Sequence, residues 1–166
     1  MRIVSLLLSA LFISNANAIA SLSDFCNILN AIDTKYLCEE YSITTEDNYI
    51  MLIYRIPSTT KEIIAKNKPA MAFMHGTWQS ADSMISLSNY IGRPLALEAV
   101  DMGFDVWFLN SRGTKYSTHK TLNKVNNPKQ FYDYTWQQKG QYDIPAGIKF
   151  IQTTTNHPKI ILWATG

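Results

Sequence analysis

The sequence lacks several features that mark particular classes of protein. It has two cysteines and no Cys-x-x-Cys pair, so cysteine spacing predicts no metal site. No Asn-x-Ser/Thr sequon is present, and no motif indicates a cofactor. The 15 lysines and arginines are scattered among 13 aspartates and glutamates, which excludes the basic stripe of a nucleic-acid-binding protein. Internal repeats and low-complexity tracts are also absent.

No apolar run reaches the ~20 residues that a transmembrane helix needs. The run Ile3–Ile13 follows an arginine and precedes the small-residue pattern Ala16-Asn17-Ala18. This order is typical of a signal peptide, whereas the alternative, a membrane anchor, would need a longer run. We therefore expect residues 1–18 to be cleaved. Residues 19–166 are then one soluble domain, either secreted or in the lumen of the lysosome or endomembranes.

The two cysteines lie close together near the start of the mature chain. An oxidising compartment favours a disulfide between Cys26 and Cys38, which would pin the N-terminal segment. Two buried free thiols are the alternative.

A β-hairpin is predicted next. β-Branched and aromatic residues are concentrated in Tyr41–Thr45 and Tyr49–Ile56, on either side of Glu46-Asp47-Asn48. Because an Asp-Asn pair tolerates a tight turn, the two segments are expected to pair. Pro57 ends the hairpin, and the polar segment Ser58–Lys68 predicts a loop.

Three later segments are predicted to be core strands. Ala70–Met74 is a continuous apolar run, typical of a strand buried on both faces, and Phe104–Leu109 is another apolar strand. Lys159–Trp163 is the third. The segment Thr114–Gln141 has no clear period and predicts a long irregular connection.

Two helices are predicted between these strands. The first begins at Pro94 and ends at a C′ glycine, Gly103. The second begins at Asp143, which we expect to cap it, and continues to Thr154. In the first helix, Leu95, Ala99 and Met102 are expected to lie on one face.

This order of elements predicts the fold class. A hairpin followed by strand, helix, strand, helix and strand is typical of an α/β domain with a mostly parallel sheet. Right-handed crossovers place the flanking helices on both faces. Ligands bind at the carboxyl ends of such strands, so the candidate site comprises His75-Gly76-Thr77, Asn110–Gly113 and the residues after Trp163.

Gly76 has a specific use at such a site. Because it has no side chain, the backbone can bend so that the N–H of Thr77 points into a cleft and stabilises a developing oxyanion. The alternative is an ordinary glycine between a strand and a loop.

Several short sequence segments, which lie in the same order between Asp33 and Trp163, resemble segments of the acid lipases. That family includes gastric lipase and lysosomal acid lipase, which are secreted or lysosomal α/β-hydrolases that cleave triacylglycerols and cholesteryl esters. The resemblance implies the N-terminal portion of an α/β-hydrolase fold and neutral lipid esters as substrates. The matching segments are Glu40–Ile50, Arg55-Ile56-Pro57, His75-Gly76, Gly103–Trp107, Asn110–Gly113, His119–Leu122 and Tyr142–Ala146.

The resemblance also implies residue roles. Gly76 and Thr77 match the family's oxyanion loop, although a leucine is usual at the position of Thr77. His75 and His119 match positions that are not the triad histidine. A structural loop beside the active site, in which the arginine is an orienting residue, is matched by Asn110, Ser111, Arg112 and Gly113.

The sequence departs from the family after its last strand. In the family, the strand matching Lys159–Trp163 leads into Gly-x-Ser-x-Gly, and the Asp and His of the triad follow. Here Ala164 and Thr165 follow, and Gly166 stands in the place of the serine. We therefore expect residues 19–166 to be a partial lipase domain, truncated at the nucleophile turn. It would contain no catalytic triad and would be inactive as this chain.

Two functions follow from this pattern. The first is that the chain is part of a carboxylic ester hydrolase of lipid metabolism that acts on neutral lipids. The alternative is a short, secreted, non-catalytic protein that binds lipid or a partner. In either case the strand Lys159–Trp163 is expected to leave a hydrophobic sheet edge through which chains self-associate.

Overall fold

The structure is a computed structural model that describes residues 24–57, 69–86 and 92–165. The predicted signal peptide, residues 1–18, and the predicted loop Ser58–Lys68 lie outside the described residues. Within those three ranges, no helix is long and apolar enough to cross a lipid bilayer.

The predicted hairpin is present. Strands β1 (Glu39–Thr44) and β2 (Tyr49–Ile56) pair in antiparallel orientation. Thr45 closes the turn, because its hydroxyl accepts a hydrogen bond from the Tyr49 N–H at 3.0 Å and donates one to Asp47 Oδ1 at 2.6 Å. Asn48 has a φ of +71°, in the left-handed region that asparagine tolerates better than most residues.

The hairpin belongs to a six-stranded sheet. The other strands are β3 (Ala70–Met74), β4 (Asp105–Leu109), β5 (Ser117–His119) and β6 (Ile161–Ala164). Their order is β1-β2-β4-β3-β6, with β5 paired to β2. Strands β4, β3 and β6 are parallel, whereas β2 is antiparallel to β1, β4 and β5. The predicted α/β fold class is confirmed, with a mixed sheet because the hairpin joins the parallel strands in antiparallel orientation.

Helices flank the sheet. The last helical segment is continuous, because the helix Trp136–Gln138 runs through a π-helical turn (Lys139–Asp143) into the helix Ile144–Thr155. The helices are α1 (Asp24–Ile32), α2 (Ser83–Ser86), α3 (Leu95–Asp101), α4 (Pro128–Phe131), α5 (Trp136–Gln138) and α6 (Ile144–Thr155).

One face of the sheet is covered by α1, α2 and α3. Phe25 of α1 is completely buried, and its ring stacks on that of Tyr54 with the centroids 4.3 Å apart. A disulfide between Cys26 and Cys38 links α1 to the segment that enters β1. The N-terminal helix, which the sequence analysis did not predict, therefore belongs to the core.

The other face is covered by α6. Ile151 is fully buried in an apolar cluster with Trp107 and Leu109 of β4. Gly147 allows the close approach, because a Cβ on it would lie 2.7 Å from a Leu109 methyl group. Helices therefore lie on both faces, as right-handed crossovers require.

Of the three residues predicted to share one face of α3, only Ala99 is buried. Leu95 and Met102 are 50% and 72% exposed, whereas the buried residues of this helix are Ala96, Leu97, Ala99 and Val100. Apolar residues occupy both sides of this seven-residue helix, so its periodicity alone could not select the buried side. The predicted C′ glycine is present, because Gly103 has a φ of +89°.

The predicted irregular connection, Thr114–Gln141, contains more structure than its sequence pattern indicated. Strand β5 pairs with the start of β2, and α4 and α5 follow it. A three-residue strand is too short to show an alternating pattern, which explains why the sequence analysis missed it.

Candidate functional site

A cleft of about 580 Å³ lies at the carboxyl ends of β3 and β4. Its walls are the loop after β3, residues 75–80, the loop after β4, residues 111–115, and residues 132–139 around α5. The cleft therefore contains most of the residues that the sequence analysis selected: His75, Gly76, Thr77, Ser111, Arg112 and Gly113.

His75 connects the two strand-end loops. Its Nε2 accepts a hydrogen bond from the Ser111 N–H at 3.2 Å, and its Nδ1 lies 2.8 Å from the Gly76 carbonyl oxygen. These partners require the proton on Nδ1. Burial lowers the pKa of His75, and the positive charge of Lys139 lowers it further. Both ring nitrogens are engaged, so His75 orients the loops.

The Gly76 backbone is held on both sides by Gln79. The Gly76 N–H donates to Gln79 Oε1 at 3.0 Å, and the Gln79 N–H donates to the Gly76 carbonyl oxygen at 3.3 Å. The next amide, that of Thr77, has no hydrogen-bond acceptor among the described residues. The loop thus fixes one N–H group through side-chain contacts and leaves the following one at the cleft surface.

The segment after β6 meets this loop. The Thr165 N–H donates to the Met74 carbonyl oxygen at 3.2 Å. A Cβ on Gly76 would lie 3.3 Å from Thr165 Oγ1 and 3.4 Å from its carbonyl oxygen, so a larger residue would crowd the contact. Thr165 Oγ1 is buried and has no hydrogen-bond partner in the part of the chain that the structure describes.

Asn110 anchors the loop after β4 to the backbone of two neighbouring segments. Its Nδ2 donates to the Leu52 carbonyl oxygen at 2.8 Å, and its Oδ1 accepts from the Ala81 N–H at 2.9 Å. Gly113 has a φ of +84°, and a Cβ there would collide with the Tyr134 hydroxyl. These contacts give Asn110 and Gly113 structural roles.

Arg112 is the centre of a buried ion cluster. Its side chain is 1% exposed and donates to both Asp47 oxygens at 2.6 and 2.9 Å. On its other side, Nε and the backbone N–H donate to Asp143 at 2.9 and 2.8 Å. The guanidinium also lies over the Tyr49 ring, 4.1 Å from its centroid. Arg112 therefore joins the hairpin turn, the loop after β4 and the start of α6.

The charges in this cluster shift one another. Burial favours a higher pKa for Asp47, but hydrogen bonds from Arg112 and Thr45 outweigh it and hold the pKa below its ordinary value. Burial raises the pKa of Asp143, against the opposing effect of the Arg112 donors. With both carboxylates bound to it, Arg112 has no free donor edge to offer a ligand.

The predicted capping role of Asp143 is wrong. Its side chain makes no capping hydrogen bond, because the helical backbone already begins at Trp136 and no free helix end exists at Asp143. Thr135 and Gln138 form the capping box instead. The spacing Thr-x-x-Gln was the sequence signal that could have located this helix start.

Sequence reasoning also missed ten of the sixteen residues that line the cleft, among them Trp78, Gln79 and Lys139. Trp78 has a φ of +62° and is fully exposed, and Lys139 lies beside the rings of Tyr134 and Trp136. No motif marks these positions, since only the fold brings residues 78 and 139 to one cleft. Among the described residues, no three His, Cys, Asp or Glu side chains gather in a way that could hold a metal ion.

Comparison with known proteins identifies a lipase region. Residues 30–88 match the family described as a partial alpha/beta-hydrolase lipase region. The chain is 37% identical over 127 residues to gastric triacylglycerol lipase of Rattus norvegicus, covering 75% of the chain and 31% of that protein. It is also 37% identical over 124 residues to human lysosomal acid lipase/cholesteryl ester hydrolase, covering 74% of the chain and 30% of that protein.

Solved structures agree on the fold. An esterase of Pyrococcus furiosus superposes with a TM-score of 0.53 at 18% identity, covering 80% of this chain and 43% of the esterase. The chain spans about a third of the length of the curated relatives that it matches. The chain therefore has the fold of an α/β-hydrolase and is similar in sequence to part of the lipase domain of the acid lipases.

Proposed function

We propose that this chain supplies the oxyanion loop of a carboxylic ester hydrolase that acts on neutral lipids. The observation that carries the proposal is the meeting of two segments. The loop after β3, with Gly76 and Thr77, contacts Thr165 after β6. In α/β-hydrolases, the nucleophile turn follows a strand, and an N–H from the loop of a neighbouring strand completes the oxyanion hole.

In this arrangement the Thr77 N–H is the oxyanion donor. Gly76 cannot serve, because its N–H is bound to Gln79. A rigid donor of this kind stabilises the negative charge that develops on the carbonyl oxygen during attack, and removing one such donor costs ~10²–10³ in kcat. His75, Asn110 and Ser111 support the loop without touching the substrate.

The substrate class follows from the relatives and is compatible with the cleft. The relatives are named as a triacylglycerol lipase and as a lysosomal acid lipase/cholesteryl ester hydrolase. Aromatic rings line the cleft of this chain, at Trp78, Tyr132, Tyr134 and Trp136, and offer apolar surface for an acyl chain. We propose neutral lipid esters as substrates and the secretory or lysosomal lumen as the place of action.

The complete transcript of the gene provides the first test. We expect it to encode, beyond Trp163, a Gly-x-Ser-x-Gly turn and a later aspartate and histidine. A complete transcript without them contradicts the proposal. The 166-residue chain made alone is expected to release no fatty acid from triacylglycerol emulsions above a blank, because glycine stands at the nucleophile position.

A matched pair of variants tests the oxyanion donor in the full-length protein. Thr77→Pro removes the N–H, whereas Thr77→Ala keeps it and changes only the side chain. We expect Thr77→Pro to lower kcat by ~10²–10³ and Thr77→Ala to retain most activity. Equal losses in the two variants would show that the threonine side chain, and not its N–H, carries the effect.

Self-association through β6 is a second proposal. Strand β6 is the last in the sheet order, and Ile161 and Leu162 are 44% and 41% exposed. An exposed, apolar strand with unpaired backbone groups is a template for pairing with another chain.

A further inference from the structure

The cleft at the ends of β3 and β4 has an unbalanced charge. Its described lining residues include Arg112, Lys115 and Lys139 and no aspartate or glutamate. Two of these cations are already neutralised. Arg112 is bound to two carboxylates, and the Lys115 ammonium lies 3.2 Å from Asp24 and 3.0 Å from Asp82.

Lys139 is different from the other two. It forms no hydrogen bond or ion pair with a described residue, and its ammonium is flanked by the rings of Trp136 and Tyr134 at 4.8 and 5.6 Å. Burial lowers its pKa; the negative charge of Asp143 opposes this effect, and the positive charge of Arg112 adds to it. Lys139 also lowers the pKa of His75, so its charge acts on the part of the cleft where the oxyanion loop lies.

The mouth of the same cleft carries exposed aromatic surface. Trp78 is fully exposed, Trp136 is 65% exposed and Tyr132 is 47% exposed. Such rings are favourable at boundaries between apolar and aqueous phases, since each combines a large apolar face with a polar group. A cation that forms no ion pair with a described residue, next to apolar rings, complements a ligand with an anionic head and an apolar tail.

We propose that this cleft binds a fatty acid, with its carboxylate at Lys139 and its chain against Trp78 and Trp136. The ligand's source rests on the proposed function, because hydrolysis of a lipid ester at the oxyanion loop would release a carboxylate in this cleft. The binding itself needs no hydrolysis. It can therefore be measured on the chain as it stands, separately from catalytic activity.

Calorimetric titration of the purified chain tests the proposal with two ligands of equal chain length, decanoate and decan-1-ol. We expect decanoate to bind roughly fivefold to tenfold more tightly, a gain between those of exposed ion pairs and of charged hydrogen bonds. Lys139→Met should abolish this preference by weakening decanoate alone, and Lys139→Arg should restore it. Trp78→Ala should weaken both ligands by a similar factor.

Lys149→Met is the matched control, because Lys149 is an exposed lysine of α6 that lies outside this cleft. It should leave both affinities unchanged, and circular dichroism should show the same fold in every variant. Equal affinity of the unaltered chain for decanoate and decan-1-ol overturns the proposal, as does an equal loss in Lys149→Met. A missing triad in the complete transcript would overturn the proposed hydrolase and leave this result standing.

Discussion

At the scale of single residues, His75 makes the stability of the domain dependent on pH. Its pKa lies below the ordinary value of 6.5 because the ring is buried. As the pH falls below 6.5, the unfolded chain takes up a proton that the folded chain resists, and unfolding becomes more favourable. The stability contribution is complete above pH 6.5 and is lost as the pH falls towards the lowered pKa of the folded state.

We therefore predict that His75→Gln reduces the fall in melting temperature between pH 7 and pH 5. The amide oxygen of glutamine can accept the Ser111 N–H in place of Nε2, and glutamine does not titrate in this range. Thermal melts of the two chains at several pH values provide the measurement. His157→Gln, outside the cleft, is the control. A similar pH slope in His75→Gln and the unaltered chain would contradict the assignment.

At the scale of elements, the disulfide connects α1 to the sheet. Closing a loop of ~15 residues is worth about 3 kcal/mol by the chain-entropy account, and the 12-residue separation of Cys26 and Cys38 lies near that length. We predict that the double variant Cys26→Ala/Cys38→Ala lowers the free energy of unfolding by roughly 2–3 kcal/mol in urea titrations.

Asn30→Ala, on the exposed side of the same helix, serves as the comparison for that measurement. Its effect should stay within about 0.5 kcal/mol, as expected for a surface substitution. If the double variant is as stable as Asn30→Ala, then the packing of Phe25 and Leu29 holds α1 in place without the disulfide.

The elements also show how far the sequence could be interpreted. Ala70–Met74 was predicted with its observed bounds, and Asp105–Leu109 to within one residue, because each is a mainly apolar segment followed by turn residues. The Arg112 cluster could not be predicted. Its carboxylates lie 31 and 65 positions away in sequence, and only the packed fold brings them together.

The candidate site divides in the same way. Gly76 and Thr77 were found because a strand-end glycine has a known use in a backbone turn. Lys139 was not found, because it lies in a segment without periodicity that was predicted to be irregular. Its position in the cleft depends on the helix that begins at Trp136, and this helix start was predicted seven residues too late, at Asp143.

At the scale of the whole molecule, the outer side of β6 is the surface through which we expect chains to associate. In the described part of the chain, β6 pairs with β3 on one side, and no strand pairs with its other side. Its sequence, Ile161–Ala164, is short, apolar and uncharged, which is the character of an aggregation-prone segment. The exposed backbone groups and the exposed side chains of Ile161 and Leu162 therefore favour pairing between chains.

We predict that the purified chain self-associates and that Leu162→Lys shifts it towards monomer, because a charge on an edge strand opposes pairing. Sedimentation velocity and binding of a hydrophobic dye measure the change. Val125→Lys is the control: Val125 is 83% exposed and lies outside the sheet, so this variant should associate like the unaltered chain. A monomeric unaltered chain with a sharp thermal transition and no dye-accessible apolar surface would refute the prediction. It would mean that the outer side of β6 is already protected.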